Sequence, residues 1–288
     1  MPRIARPLSL LRASGPPERP ILVIGCPRSG TTMLLQGLLR SGRLGSVQNE
    51  GHILWDEFHD IEERGWDSDG LGAADLSERE RAYVYTAIGL FVRGRRFVDK
   101  TPPNCLRIPY LDALFPDASY VFLRRRGADN VNSLIEAWRA RPRFVKYRLP
   151  EPLTGLGELS GDRWSLALVP GWRELREASL EEICAHQYIA CNEAVLDARE
   201  TMDSERWLDV AYEDLVASPV EQLGRLYEWL DLPFTGGAEQ YAAGLAGNLA
   251  RTTLTAPRPD KWREQNAEAI ERILPLLAPV QHRLGYAD

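Results

Sequence analysis

A short apolar run followed by a glycine-bearing loop constrains this chain more than any other feature. Residues 20–25 (PILVIG) are apolar and rich in β-branched side chains, which predicts a strand buried on both faces. Residues 25–32 (GCPRSGTT) place two glycines in G-x-x-x-x-G spacing, and the apolar spacing at 32–40 predicts a helix directly afterwards. Because such a loop forms a cradle of backbone N–H groups at a helix N-terminus, we expect it to bind an anion.

The side chains of the loop indicate which anion it binds. In ATP-binding loops of this spacing, a lysine follows the second glycine and reaches the β- and γ-phosphates. Here Thr31 stands in that place and Thr32 follows it, whereas a cation comes three residues earlier, at Arg28. The loop therefore suits a phosphate or a phosphosulfate better than a triphosphate.

The rest of the chain alternates between strand and helix patterns. Further short strands are predicted at 95–99, 119–123 and 207–210. Helices are predicted at 77–93, 104–115, 129–140, 179–202, 218–230 and 264–283. This alternation predicts an α/β fold with a central parallel sheet flanked by helices, in a single domain over residues 19–288.

Two stretches fall outside this pattern. Residues 1–18 carry basic side chains but only a short apolar segment, too short for a secretory signal, and are predicted to form a flexible arm. Residues 141–178 contain four prolines and four glycines interleaved with four aromatic residues. Because aromatic residues argue against disorder, we expect this stretch to be an irregular insertion that covers the substrate.

Charge and composition exclude several classes of partner. The chain has 41 acidic residues against 35 Lys or Arg, a net charge of −6, whereas a general nucleic-acid binder is usually basic. No apolar run approaches the roughly 18 residues needed to span a bilayer. The four cysteines and four histidines show no zinc-ligand spacing, so no metal is expected. Thiols without a disulfide framework favour a reducing, cytoplasmic location.

A second motif concentrates positive charge after the third predicted strand, in residues 123–134 (LRRRGADNVNSL). From 124 to 148, eight basic residues stand against two acidic ones. An anionic ligand of an acidic protein needs such a local patch, although a solvated helix face would carry the same charges. An arginine in such a patch offers a planar donor fork to a phosphate.

Together these motifs resemble those of the sulfotransferases that use 3′-phosphoadenosine 5′-phosphosulfate (PAPS). PRSGTT after a buried strand is similar to the 5′-phosphosulfate loop of the tyrosylprotein, carbohydrate and bacterial small-molecule branch. The resemblance implies a P-loop-like three-layer fold, in which the loop holds the 5′-phosphate and the sulfuryl oxygens. The loop residues concerned are Arg28, Ser29, Gly30, Thr31 and Thr32.

The second motif resembles the family's 3′-phosphate signature, R-D-P-R-D-V-V-N-S-L. Arg126, Gly127 and Ala128 replace the first Asp, the Pro and the second Arg of that signature. The resemblance implies that Arg125 and Ser133 contact the 3′-phosphate.

Two later segments extend the resemblance. Residues 210–216 (VAYEDLV) resemble a block that places Tyr212 near the nucleotide, although much of this block would also serve as core and turn. Residues 259–263 (PDKWR) resemble a late loop in which S-K-W is common, with Asp260 in place of the serine. The candidates to close over the nucleotide are Arg251, Arg258 and Lys261.

Sulfuryl transfer needs cations at the transferred oxygens and a base for the acceptor proton. Arg28 is the first predicted cation. Lys100 ends the second predicted strand and would face the same cleft, while Asp99 is expected to anchor or solvate the strand end. Similar segments in the family place a lysine near the bridging oxygen.

Glu50 is the predicted base, 22 residues after Arg28. The tyrosylprotein branch has its catalytic Glu one residue earlier, so the match requires a one-residue insertion. His52 is the alternative base, because other branches use a histidine. A carboxylate in a partly dry cleft can accept a proton near neutral pH.

The sequence thus predicts a PAPS-dependent sulfotransferase. It would transfer a sulfuryl group to a hydroxyl or amine of an organic acceptor and release 3′-phosphoadenosine 5′-phosphate (PAP), without a metal. The alternatives are an ATP-dependent small-molecule kinase on the same fold and a non-catalytic nucleotide-binding protein. The aromatic residues of 141–178 favour a partly apolar acceptor, but the sequence does not identify it or the oligomeric state.

Overall fold

The computed structural model describes residues 15–47, 50–245, 254 and 258–286, so most of the predicted arm at 1–18 lies outside it. Seven strands occur in these residues: β1 (Ile21–Ile24), β2 (Leu44–Gly45), β3 (Arg96–Lys100), β4 (Ser119–Arg124), β5 (Val145–Leu153), β6 (Gly161–Ser165) and β7 (Trp207–Ala211). Five of them form one parallel sheet in the order β2-β3-β1-β4-β7. The predicted α/β fold with a central parallel sheet is confirmed.

Helices connect the strands of the sheet. They are α1 (Thr31–Leu39), α2 (His52–Trp55), α3 (Glu78–Val92), α4 (Ile108–Leu114), α5 (Gly127–Arg139), α6 (Leu180–Arg199), α7 (Tyr212–Ala217), α8 (Pro219–Trp229), α9 (Gly237–Ala243), α10 (Trp262–Gln265) and α11 (Ala267–Arg283). Among the residues described, none of these helices is long and apolar enough to cross a membrane.

The two faces of the sheet pack against different helices, which gives three layers. In β1, Leu22 and Ile24 belong to a large core with side chains of α3, α4, α5, α6 and α11. Ile21 and Val23 point to the other face, into a smaller core with α1, α8 and α9. Because successive strand residues alternate between faces, a strand buried on both sides is apolar throughout, as the ILVI run predicts.

Two predicted helices are shorter than expected. The helix predicted at 104–115 begins at Ile108, because Pro102–Leu106 forms a 3-10 turn directly after β3. The helix predicted at 264–283 is interrupted at Asn266, whose φ of −145° is not helical. The spacing of apolar residues predicts neither break, because each break depends on the backbone conformation of a single turn.

The prediction that residues 141–178 are irregular is wrong. Within this stretch β5 and β6 pair as an antiparallel hairpin. The ladder pairs Arg148 with Arg163 and then Leu153 with Gly161, with an irregularity between them. Pro150 and Pro152 fall in this irregular part, where no ladder needs their missing N–H groups.

A buried carboxylate attaches this hairpin to the body of the protein. Asp69 Oδ1 accepts hydrogen bonds from Lys146 Nζ and Tyr147 Oη, each at 2.6 Å. The Arg107 guanidinium lies 3.2 Å from the same oxygen, and the Leu168 N–H donates to Oδ2 at 2.7 Å. Burial alone would raise the pKa of Asp69, but Lys146 and Arg107 hold it below its ordinary value.

We predict that Asp69→Ala destabilises the protein by about 3–5 kcal/mol at pH 7, because Lys146 and Arg107 lose a buried partner. Urea unfolding measures this loss. The folded-state pKa of Asp69 is lowered, so its contribution is present above about pH 4 and disappears as the pH falls through the folded-state value. The difference in unfolding free energy between the unmodified protein and Asp69→Ala should therefore become smaller in acid.

The matched control is Asp162→Ala, which removes an exposed ion pair with Arg148. Exposed pairs contribute less than about 1 kcal/mol. Equal losses of stability from the two substitutions would show that the Asp69 cluster does not hold the hairpin.

Candidate functional site

Four strands of the parallel sheet deliver charged or polar residues at one edge. The loop at 25–30 follows β1, Lys100 ends β3, Arg125 follows β4 and Tyr212 follows β7. Because the strands are parallel, their carboxyl ends meet at the same edge, which is where open α/β sheets bind ligands.

The loop after β1 has a tightly constrained backbone. Arg28 and Gly30 have φ of 72° and 105°, both in the left-handed region. A Cβ at Gly30 would lie 2.7 Å from the ring of Tyr212, so glycine is needed for space as well as conformation. Asn130 Nδ2 donates to the Pro27 carbonyl at 2.9 Å and ties the loop to α5. The N–H groups at the start of α1 are thereby held at the edge of the sheet.

Two buried donors at this edge lack a hydrogen-bond partner among the described residues, Ser29 Oγ and Arg125 Nε. Leaving a buried donor unpaired costs about 1–3 kcal/mol. Thr31, which is buried, and Thr32, which is partly exposed, begin the helix beside them. Anionic oxygens would satisfy both donors, so the residues present fit a bound phosphate or phosphosulfate.

The two motifs that the sequence separates by about a hundred residues are in contact. Arg28 Nε donates to Ser133 Oγ at 3.3 Å, and Arg125 donates to the Arg28 carbonyl at 2.9 Å. The Arg125 guanidinium also lies over the ring of Tyr212, 4.4 Å from its centroid. Burial, together with the neighbouring guanidinium of Arg125, lowers the pKa of Arg28 to about 10. Arg28 therefore remains charged at neutral pH, and a bound anion would relieve the repulsion between its guanidinium and that of Arg125.

The predicted base and the second predicted cation pair with each other. Lys100 Nζ donates to Glu50 Oε1 at 2.5 Å, and only 5% of the Lys100 side chain is exposed. The other carboxylate oxygen of Glu50 lies 3.4 Å from His52 Nδ1. Burial lowers the pKa of His52, which is therefore mainly neutral at pH 7. Gln48 and Asn49, which precede Glu50 in its motif, lie outside the described residues.

The hairpin adds an aromatic residue that sequence reasoning did not single out. The Arg28 guanidinium lies over the ring of Phe144, 5.0 Å from its centroid, and Arg143 lies over the same ring at 5.4 Å. Phe144 immediately precedes β5, so the hairpin reaches the anion loop at this point. Its signal in the sequence is an aromatic residue between basic ones, which the patch at 124–148 already contains.

The C-terminal candidates to close over the nucleotide, Arg258 and Lys261, occupy different environments. Arg258 is exposed and forms an ion pair with Glu264, six residues later. Lys261 Nζ lies 3.0 Å from Glu136, one turn after Ser133 on α5. Lys261 is thus near the second motif, whereas the ion pair of Arg258 is local. Arg251 lies outside the described residues.

Metal-ligating side chains do not cluster in the described part of the chain, where no group of three or more His, Cys, Asp or Glu could hold a metal ion.

Comparison with known proteins agrees with this geometry. The family model described as "Sulfotransferase family" matches residues 20–154 and 160–236. Protein-tyrosine sulfotransferase A of Caenorhabditis elegans is 24% identical over 289 residues, covering 92% of this chain and 67% of the relative.

Solved structures share the fold. Sulfotransferase STF9 from Mycobacterium avium has a TM-score of 0.56 at 18% identity, covering 95% of this chain and 78% of that one. Mouse sulfotransferase SULT7A1, solved in complex with PAP, has a TM-score of 0.52 at 13% identity, covering 93% and 85%. The family model spans well over half of the residues, and the chain therefore belongs to the sulfotransferase family.

Proposed function

We propose that this chain, as a PAPS-dependent sulfotransferase, moves a sulfuryl group to a hydroxyl or amine of an organic acceptor and releases PAP. One observation carries the proposal. Two arginine sites from distant parts of the sequence, Arg28 and Arg125, meet at the sheet edge that also carries the Lys100–Glu50 pair. PAPS carries phosphate groups at two ends of its nucleotide and therefore requires two such sites.

The loop residues are proposed to hold the 5′ end of the nucleotide. Backbone N–H groups at the start of α1 and the hydroxyls of Ser29, Thr31 and Thr32 would donate to its oxygens. Gly30 keeps the loop close to the ring of Tyr212, which is proposed to lie along the nucleotide. The buried Ser29 Oγ, which has no hydrogen-bond partner among the residues described, supports this assignment.

Arg125 and Ser133 are proposed to hold the 3′-phosphate. Arginine suits this role because its planar donor fork matches phosphate oxygens. Arg125 Nε, which is buried and has no partner within the described part of the chain, supports the assignment. Lys261, which pairs with Glu136 of α5, is proposed to contribute positive charge near the 3′-phosphate. Arg258 would have to break its ion pair with Glu264 before it could contact the nucleotide.

Arg28 and Lys100 are proposed to stabilise the charge that develops during transfer. In an in-line displacement the oxygens around the transferred group gain negative charge, and fixed cations lower the energy of that state. Lys100 is nearly buried, so its charge is only weakly screened by water. PAPS itself supplies the activated sulfuryl group.

Glu50 is proposed to take the proton of the acceptor. Its carboxylate is only 30% exposed and lies between Lys100 and His52. His52 remains the alternative base. A base aligned with the attacking oxygen or nitrogen raises its nucleophilicity as the bond to sulfur forms.

The hairpin is proposed to cover the acceptor. The Arg28 guanidinium lies over the ring of Phe144, and Lys146 in β5 binds Asp69. Both contacts support a hairpin that places an aromatic side chain near the transferred group. The nematode relative acts on protein tyrosine, so a phenol is one acceptor to test. The four buried free cysteines support a reducing, cytoplasmic location.

We predict that Arg125→Ala weakens PAP binding by roughly 10- to 100-fold, as for loss of a charge-assisted contact. Binding of adenosine 5′-phosphate (AMP), which lacks the 3′-phosphate, should change much less. Calorimetric titration of both nucleotides measures the difference. Arg126→Ala is the matched control, because Arg126 is the adjacent but exposed arginine. Equal losses for PAP and AMP would remove Arg125 from the 3′-phosphate site.

We predict that Glu50→Gln lowers turnover by roughly 10²- to 10⁴-fold, the usual contribution of a positioned general base. PAP affinity should hardly change, because Glu50 is assigned to the acceptor. A phenol should suffer less than an aliphatic alcohol, since it loses its proton more easily. Steady-state kinetics with labelled PAPS measures these effects.

His52→Ala tests the alternative base. If His52→Ala abolishes turnover while Glu50→Gln leaves most of it, the base is His52. If neither substitution lowers turnover, the base lies outside this loop.

A further inference from the structure

A buried carboxylate next to Lys100 has no part in the proposed chemistry. Asp99 is only 1% exposed and is the penultimate residue of β3. Its Oδ1 accepts a hydrogen bond from the Gly51 backbone N–H at 2.6 Å. Asn104 Nδ2 donates to Oδ2 at 2.8 Å, and Thr101 Oγ1 lies 3.3 Å from Oδ1. Asp99 therefore binds the backbone of a loop that is distant in sequence.

The loop that Asp99 binds is the loop that carries Glu50. Gly51 follows Glu50 directly, just as Lys100 follows Asp99. The neighbouring residues Asp99 and Lys100 thus contact the neighbouring residues Gly51 and Glu50. The contacts are the Asp99–Gly51 hydrogen bond and the Lys100–Glu50 ion pair. Because successive strand residues alternate between faces, the two contacts hold the loop from opposite faces of β3.

The residue at position 51 is adapted to this contact. Gly51 has φ of −78°, a conformation open to any residue, so backbone freedom does not explain the glycine. A Cβ there would lie 2.7 Å from Asp99 Oδ1 and 2.7 Å from the buried ring of Trp55. Glycine is thus required by the close approach of the carboxylate.

We propose that Asp99 is a positioning residue, which fixes the backbone at Gly51 and thereby sets the Glu50 carboxylate against Lys100 at the reacting centre. The link to catalysis rests on the proposed function, in which Glu50 takes the acceptor proton. Asp99 itself lies under the loop and acts only through it. Misplacing a reacting group by about 1 Å can lower a rate by about 10²-fold, so such a contact has a measurable effect.

The first test is kinetic. With PAPS as donor and either water or an aliphatic alcohol as acceptor, Asp99→Ala should lower kcat by about 10- to 100-fold. PAP affinity should stay within about twofold, because neither phosphate site includes Asp99. Asp99→Asn should restore most of kcat, since its amide oxygen still accepts from Gly51. The unpaired Asn104 Oδ1 can turn to accept from the new amide N–H.

The matched control is Glu80→Gln. Glu80 is another carboxylate that is 1% exposed, held by His59 and Tyr110 away from the sheet edge. Its substitution should leave kcat unchanged, even where it lowers the melting temperature. If Glu80→Gln and Asp99→Ala lower kcat in proportion to their loss of stability, Asp99 is merely structural and the proposal is wrong.

Combination with Glu50→Gln tests whether Asp99 acts through Glu50. In that background Asp99→Ala should lower kcat little further, because the residue being positioned is already lost. Additive losses would contradict the proposal.

A crystal structure of Asp99→Ala separates this proposal from the proposed function. The Glu50–Lys100 distance should open beyond 4 Å in the variant. If the pair stays closed, Asp99 does not position Glu50, whatever the activity. If the pair opens but Glu50→Gln is fully active, positioning holds and the assignment of the base fails. If Asp99→Ala does not fold, Gly51→Ala replaces it in this test. Its added Cβ would push the loop away from Asp99, and the Glu50–Lys100 pair should again open.

Discussion

The common carboxyl edge of four parallel strands is the constraint on which the site depends. β1, β3, β4 and β7 bring the anion loop, Lys100, Arg125 and Tyr212 to one place. None of these residues is near the others in sequence. The site therefore exists only when the strands pair in register, and the apolar cores on both faces of the sheet stabilise that pairing.

The electrostatics of this edge favour a bound anion, although the protein as a whole is acidic. Arg28 and Arg125 contact each other through a backbone carbonyl, and the pKa of Arg28 is lowered by burial and by its neighbour. The two guanidinium groups repel each other, and a bound anion would reduce that repulsion. The field that would attract the ligand is thus local, because charges farther away than about 10 Å are largely screened by salt, and the net charge of −6 acts mainly at longer range.

Sequence reasoning succeeded where one residue pattern determines one structure. The ILVI run predicted β1, and the glycine spacing predicted a tight loop between β1 and α1, because both patterns act locally. The hairpin of β5 and β6 was not predicted, because prolines disfavour strands. Pro150 and Pro152 are tolerated here only because the register between Arg148 and Leu153 is irregular. The Asp99–Gly51 contact also escaped, because it joins residues 48 positions apart and leaves only a glycine as its signal.

We propose that this edge holds a nucleotide with phosphates at both its 5′ and 3′ positions. Calorimetric titration of the full chain with PAP, AMP and ATP measures whether both phosphates contribute to binding. We expect one PAP bound per chain, at least about tenfold more tightly than AMP or ATP, because only PAP occupies both arginine sites. Binding of ATP as tight as that of PAP would show that there is no separate 3′-phosphate site.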